Sequence, residues 1–294
     1  MLKGLIVKAI GSFYYVETAD NRIYECKARG IFRKENLSPL VGDTVEILES
    51  REGYPVIEKI STRKNKLIRP PVSNIDKLFI VTSMRDPSPN TRVLDKMTAV
   101  ACSKNIEPIL VISKVDLACS DDIYNIYFNA GIKTIKFSLP NGLGIDEIKN
   151  ELKSGLNVFT GNTGVGKSTI LNCIDPRLSL ATGEISHKLG RGRHTTRQVE
   201  LFKIKNGTYV ADTPGFSTVD IERYELIDKD ELEYCFKEFA PYLGKCKFNS
   251  CTHRLEKGCS IIKAVSEGKI SRSRHDSYVS MYNEVKDIKE WEKK

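Results

Sequence analysis

No run of apolar residues in this chain approaches the ~20 that a membrane-spanning helix requires. The opening segment, MLKGLIVKAIGSFYYVE, is broken by lysine and glycine every few residues, with no apolar stretch leading to a small-residue cleavage site, so no secretory signal is expected. Low-complexity tracts are missing, and so is the low hydrophobicity of disordered chains, since apolar residues make up 40% and charged residues 29%. No long heptad or apolar strip suggests assembly, which leaves a monomer as the expectation. These absences predict a cytoplasmic protein without membrane contact, whose eight cysteines are reduced thiols or metal ligands rather than disulfides.

At 294 residues the chain exceeds the ~100–200 of one ordinary domain. Its 46 basic against 38 acidic residues give a net charge of +8, which leans toward an anionic partner but is equally the mark of a solvated basic surface. The organisation must decide.

Residues 1 to about 68 alternate short β-rich runs with turn signals: LIVKAI, FYYVET, RIYECKARGIF, TVEILES after Gly42-Asp43, and YPVIEKI. Strands of this kind without helical periodicity predict an OB-type β-barrel. Arg22, Lys27, Arg29, Arg33 and Lys34 interleave with Phe13, Tyr14, Tyr15, Tyr24 and Phe32, the mixture of cations and stacking rings that suits RNA; some of those rings can equally be barrel core. STRKNKLIRPPVSN then reads as a linker. After it IDKLFIVTS and PILVIS read as buried strands flanking the helical spacing of Val93, Leu94, Met97, Val100 and Ala101, which is βαβ grammar.

GNTGVGKS, comprising Gly161, Asn162, Thr163, Gly164, Val165, Gly166, Lys167 and Ser168, follows the apolar strand NVFT and precedes a helix that Thr169 continues. That is the context a phosphate-binding P-loop requires. Glycines let backbone N–H groups turn toward phosphate oxygens, and the helix N-terminus adds partial positive charge. Lys167 is expected on the β and γ phosphates, with the Ser168 hydroxyl on Mg²⁺. DTPG follows the strand TYVA; Asp212 is expected to hold Mg²⁺, and the Gly215 N–H to approach the γ-phosphate. Between them LGRGRHTTRQ is a basic loop in which Thr195 or Thr196 can offer a hydroxyl to Mg²⁺, as a nucleotide-dependent switch does; a loop touching only RNA is the plainer alternative.

The P-loop alone does not separate GTP from ATP. In SKVD (Ser113, Lys114, Val115, Asp116), at the end of the strand PILVI, the Asp116 carboxylate can accept the guanine N1 and N2 protons that adenine lacks, with Lys114 along the base. SKVD, Phe137-Ser138, GNTGVGKS, RGRHTTR and DTPG are similar to the Ras-like GTPase motifs in rotated order, base-reading elements first. Together with the N-terminal barrel and a C-terminal Cys/His cluster, that order resembles the RsgA family over nearly the whole chain. The resemblance implies a circularly permuted GTPase that binds GTP and GDP and acts in maturation of the small ribosomal subunit, gripping its rRNA. It also implies that the Ser138 backbone N–H meets guanine O6. Ser113 stands where the family's motif usually has Asn, and its shorter side chain predicts a weaker brace of this loop.

Ras-like enzymes often carry a water-orienting Gln after DxxG. Phe216 cannot do that, so slow intrinsic turnover is expected until a partner completes the site. His194 is the candidate to position the water, a basic-loop contact to RNA being its alternative role. Cys246, Cys251, His253 and Cys259, spaced C-x4-C-x-H-x5-C, make the closed donor set of a structural Zn²⁺ site. The other cysteines, Cys26, Cys102, Cys119, Cys173 and Cys235, read as packing. ISRSRHDSYVSMYNEVKDIKEWEKK reads as a final helix, and Lys263, Lys269, Arg272 and Arg274 are candidate rRNA contacts.

The expectation is a multidomain chain: OB-type barrel over 1–68, α/β circularly permuted P-loop GTPase over 69–220, and a mostly helical zinc-binding domain over 221–294. A different class, a nucleotide-sensing RNA-binding module with negligible hydrolysis, is favoured mildly by Phe216. A P-loop ATPase or kinase is disfavoured by Lys114 and Asp116.

Overall fold

In a computed structural model the period-two alternation of the N-terminal segments is realised as a closed barrel of β1 (Leu2–Ile10), β2 (Phe13–Thr18), β3 (Ile23–Ala28), β4 (Thr44–Leu48) and β5 (Val56–Ile60), in the order β1-β2-β3-β5-β4. The structure describes residues 1–34, 37–50, 53–178, 199–205, 207–212 and 226–288. Pairing is antiparallel except between β3 and β5, and a single helical turn, α1 (Ile31–Lys34), follows β3. Ile6, Val16, Cys26, Val45, Ile47 and Ile57 fill the interior without exposure, and each buried aliphatic side chain contributes about 1.5–3 kcal/mol. Gly4 permits the close approach of β1 to β2, because a Cβ there would lie 2.5 Å from Val16 Cγ1 and 2.7 Å from the Glu17 carbonyl oxygen.

The basic stretch after the barrel, expected as a linker, is packed instead. β6 (Lys66–Leu67) pairs with β7 (Val72–Ser73), and Val72, Ser73 and Ile75 are fully buried. The cause is Asp43, whose buried carboxylate accepts from Arg63 Nε at 2.7 Å, Arg63 Nη2 at 2.6 Å, Ser73 Oγ at 2.6 Å and the Leu40 amide at 2.7 Å. A charge without exposure needs such partners.

Beyond β7 the expected alternation appears as β8 (Lys77–Ser83), α2 (Thr91–Ser103), β9 (Glu107–Ser113), α3 (Asp121–Asn129), β10 (Lys133–Lys136), α4 (Ile145–Glu151), β11 (Gly155–Thr160), α5 (Lys167–Ile174), β12 (Leu201–Lys205) and β13 (Thr208–Asp212). By contacts the chain divides into two compact units, Met1–Leu78 with Ile148–Phe216 and Phe79–Glu147 with Ser217–Lys294. In the first, β11 runs parallel to β13, which pairs antiparallel with β12. In the second, β9 lies between β8 and its parallel neighbour β10.

The second unit also holds the C-terminal region. Within the region expected to be mostly helical, ELEYCFKEF forms two short 3-10 turns, Leu232–Cys235 and Lys237–Phe239, separated by an extended Phe236. Phe236 and Phe239 both turn their rings onto Tyr278, at 5.4 and 5.0 Å. α6 (Ser260–Ser266) and α7 (Arg272–Val285) follow.

Arg274, expected as a contact to RNA, is 1% exposed and cannot reach one. Its guanidinium bonds Asp95 Oδ1 and Thr98 Oγ1 of α2 at 2.9 and 3.1 Å and Glu238 at 2.7 and 3.1 Å, with the Phe236 ring 4.7 Å away. Desolvation alone would lower its pKa; the two carboxylates outweigh that and raise it. Arg274→Met leaves both acids buried without their partner and is expected to cost about 3–5 kcal/mol. The triple replacement Arg274→Met, Asp95→Asn, Glu238→Gln is expected to recover part of the loss, read as the shift of the urea unfolding midpoint.

Candidate nucleotide site and metal centre

The P-loop sits between a strand that ends at Thr160 and a helix that begins at Lys167. Gly164 and Gly166 take φ of +83° and +94°, which lets the loop wrap back on itself, and Val165 anchors it in the core. Lys167 is buried, its ammonium donating to the carbonyls of Gly161 at 2.8 Å and Asn162 at 3.0 Å, while Asn162, Thr163 and Gly164 are exposed and Ser168 and Thr169 half-buried. The parallel register of β11 on β13 pairs Phe159 with Asp212. The strand ends that lead into GNTGVGKS and DTPG therefore lie side by side, where open α/β sheets bind ligands. His194, Thr195, Thr196, Gly215 and Phe216 lie outside the described residues, as do the side chains of Asp212, Arg33 and Lys34.

The base-reading residues form a connected group in the second unit. Ser113 is buried and its hydroxyl donates to the Thr82 carbonyl of β8 at 3.1 Å, so this residue braces the strand end. Lys114 takes φ +55°, and its ammonium donates to the carbonyls of Arg85 at 3.1 Å and Asp86 at 2.7 Å. Asp116 is exposed, with one carboxylate oxygen accepting from Ser138 Oγ at 2.8 Å. The Ser138 amide is committed to the Leu143 carbonyl at 3.2 Å. The Ser138 hydroxyl fixes the carboxylate beside it.

Cys246, Cys251, His253 and Cys259 bring four ligand atoms within 4.8 Å of one another. Two thiolates ~2.3 Å from one tetrahedral ion lie about 3.8 Å apart, and a thiolate and an imidazole nitrogen about 3.6 Å. Here Cys246 Sγ stands 3.9 Å from Cys259 Sγ, and His253 Nδ1 stands 3.5 and 3.4 Å from those sulfurs. The spacing fits zinc. His253 Nε2 lies 2.9 Å from Glu233 Oε2, an arrangement that places the proton on Nε2 and leaves Nδ1 for a metal. Amides of Ser260 and Ile262 at the start of α6 point at Cys246 and Cys259, at 3.4 and 3.5 Å, and favour thiolates there. Of the cysteines read as packing, Cys26 and Cys235 are buried but Cys119 is exposed.

The candidate RNA-binding residues divide by environment. Lys263, Lys269 and Arg272 expose 76%, 60% and 80% of their side chains, unlike Arg274. On the barrel, Tyr14, Lys27, Arg29 and Phe32 line one cavity of about 540 Å³. The Lys27 ammonium also lies 5.3 Å from the Phe13 ring and 4.9 Å from that of Tyr54, a ring the sequence pattern did not single out. Tyr15 faces Glu25, and Arg22 and Tyr24 lie away from this cavity's lining.

Residues 60–222 match the RsgA GTPase family and residues 3–57 the RsgA N-terminal domain. The chain is 45% identical to the small ribosomal subunit biogenesis GTPase RsgA of Caldanaerobacter subterraneus subsp. tengcongensis, covering 97% of this chain and 96% of that one. It is 41% identical to the protein of the same description from Ruminiclostridium cellulolyticum, covering 100% and 97%. The chain belongs to the RsgA GTPase family. Among solved structures, YjeQ from Thermotoga maritima superposes with a TM-score of 0.80 at 33% identity, covering 98% of this chain and 99% of that one. YloQ, described as a circularly permuted GTPase, gives 0.76 at 34%, covering 98% and 96%.

An RsgA-type base pocket depends on more than SKVD. The carbonyls of Arg85 and Asp86 carry no sequence signature, because a backbone acceptor is available from any residue type. Ser138→Ala removes a hydrogen bond to a charged group that holds Asp116 in place, and is expected to weaken GTP binding on the order of tenfold. Titration with a fluorescent guanine nucleotide measures it.

Proposed function

We propose that this protein hydrolyses GTP to GDP and phosphate when bound to the small ribosomal subunit, and that turnover drives a late step of subunit maturation or release of a factor from it. The observation that carries the reading is Lys167 enclosed by a P-loop whose strand is in register with the strand ending at Asp212. Residues 161–169 cradle the phosphates and Lys167 neutralises their charge in the transition state. Ser168 and Asp212 hold Mg²⁺, which supplies further charge stabilisation, with Thr195 or Thr196 as an additional ligand. Lys114 and Asp116 select guanine. His194 orients the attacking water in place of the glutamine that Phe216 displaces.

Cys246, Cys251, His253 and Cys259 hold one structural Zn²⁺, which leaves no open position for catalysis. We divide the work among an RNA-binding barrel of residues 1–68, a GTPase region of 69–220 and a zinc-binding region of 221–294. Lys27 and Arg29 with the aromatic rings near them, and Lys263, Lys269 and Arg272, meet rRNA. The protein works as a cytoplasmic monomer. Among the described residues no helix is long and apolar enough to cross a membrane.

GTP turnover by the purified protein alone, with small subunits and with large subunits, and the same series with ATP, tests the reading. Stimulation by small subunits with GTP only is the expected result. GTP binding without stimulation by any subunit would replace it with a nucleotide-sensing RNA-binding module. His194→Ala is expected to lose the stimulated rate and keep GTP affinity; equal turnover in mutant and parent removes His194 from the site.

Metal removal tests the zinc centre. A strong chelator, or Cys259→Ser, is expected to release one zinc per chain and open residues 241–262 to protease, because the loop has the metal as its closure. Full protease resistance in the metal-free chain would make the ion dispensable.

A further inference from the structure

The contact between the barrel and the β12–β13 hairpin takes no part in the chemistry above, yet it is built from paired charges, one of them nearly enclosed. Glu17, at the end of β2, exposes only 10% of its side chain and accepts at both carboxylate oxygens. Lys203 Nζ of β12 donates to one at 2.7 Å, and the Tyr209 hydroxyl of β13 to the other at 2.8 Å. Asn21 Oδ1 takes a second proton of Lys203 at 2.6 Å. A parallel tie joins Lys8 of β1 to Glu200, just before β12: their backbones form an antiparallel bridge, and their side chains an ion pair at 2.9 Å. Each lysine answers a glutamate of the other element.

Both strands depart from regular pairing at these positions. The register of β1 shifts between Ile6 and Lys8, and that of β12 between Lys203 and Lys205. Such bulges bend a strand and re-aim its side chains; here each one lies beside the lysine that crosses to the other element. Burial, followed by the neighbouring Glu17 carboxylate, raises the Tyr209 pKa, so the phenol stays a hydrogen-bond donor. Apolar side chains of similar volume would hold such a contact at least as firmly. What a carboxylate shared between two strands adds is a fixed position for both, and one of those strands ends, three residues after Tyr209, at Asp212.

We propose that Glu17 is a positioning residue for GTP turnover: by gripping Lys203 and Tyr209 it couples the barrel to the strand that carries Asp212 beside the P-loop. What the barrel binds then sets the placement of Asp212, and nucleotide state is felt in the barrel. The inference rests on the proposed small-subunit-stimulated GTPase, and it deepens that reading by naming the route of stimulation.

The test uses the full chain and Glu17→Gln, with Lys203→Met and the double variant. Glu17→Gln is expected to keep its melting temperature, GTP affinity, unstimulated turnover and subunit binding, and to lose about tenfold of the subunit-stimulated rate, within the range of ordinary site-to-site coupling. The double variant is expected to be no worse than the worse single, since both remove one interaction. Stimulation undiminished in Glu17→Gln, or additive losses, would overturn the proposal. Amide hydrogen exchange of β1 and β2 with GDP against a non-hydrolysable GTP analogue separates this from failure of the parent reading. A nucleotide-dependent difference present in the parent chain and abolished by Glu17→Gln supports the coupling even if subunits prove not to stimulate; no difference in the parent chain rejects it.

Discussion

A guanidinium almost wholly removed from water must be answered on the spot, and the C-terminal third of this protein is arranged around that requirement at Arg274. Its partners come from positions far apart in sequence, Asp95 and Thr98 on α2 and Glu238 within the second 3-10 turn, so one side chain of α7 fixes where three segments meet. The Phe236, Phe239 and Tyr278 rings close the apolar side of the same junction. Breaking such a cluster at one member is costly because the remaining charges stay buried, whereas an apolar replacement of all members need not be. The cluster therefore specifies an arrangement more than it adds net stability.

Asp43 works by the same rule on a smaller scale. Four hydrogen bonds converge on a carboxylate with no exposure, and three come from residues expected to belong to a loose connection or its edges: Arg63 twice and Ser73 once. A stretch rich in lysine, arginine and proline becomes a fixed strap. Composition alone could not distinguish the two cases, since an exposed and a strapped basic segment use the same residues. The deciding group lies 20 residues away from Arg63.

What was legible in the sequence shares one property: the chemistry is carried by neighbours in the chain. GNTGVGKS, SKVD and the Cys/His cluster are each contained within a few turns of backbone, and the barrel strands announce themselves by alternation. The rotated motif order was legible for the same reason, since order is a property of sequence. The Ser138 hydroxyl on Asp116, the Glu233 carboxylate on His253 and Arg274 on Asp95 span 22, 20 and 179 residues and depend on how strands and turns are brought together. Arg274 was misplaced on the surface because its neighbours Arg272 and Ser273 are polar. The helical pattern of α7 there is nearly uniform in polarity, and only tertiary packing marks which arginine turns inward.

The metal cluster and the Arg274 cluster solve different problems in the same region. Between Leu243 and Ser260 the described chain has no regular helix or strand; one backbone bond, from the Lys247 amide to the Gly258 carbonyl at 3.1 Å, spans its base, and too little apolar surface lies there to form a core of its own. A single ion held by the four donors, which lie within 4.8 Å of one another, would add to that closure, and Glu233 on His253 and the α6 amides on the thiols already orient the donors. Arg274 holds α7, and α7 in turn reaches the loop through His275 and Tyr278, which bond the carbonyls of His253 and Thr252 at 2.7 and 3.1 Å. The Arg274 junction contains no ligand of the Cys/His cluster, and Lys269 and Arg272 stand outside residues 241–262, whereas Lys263 stands on the helix that Cys259 caps.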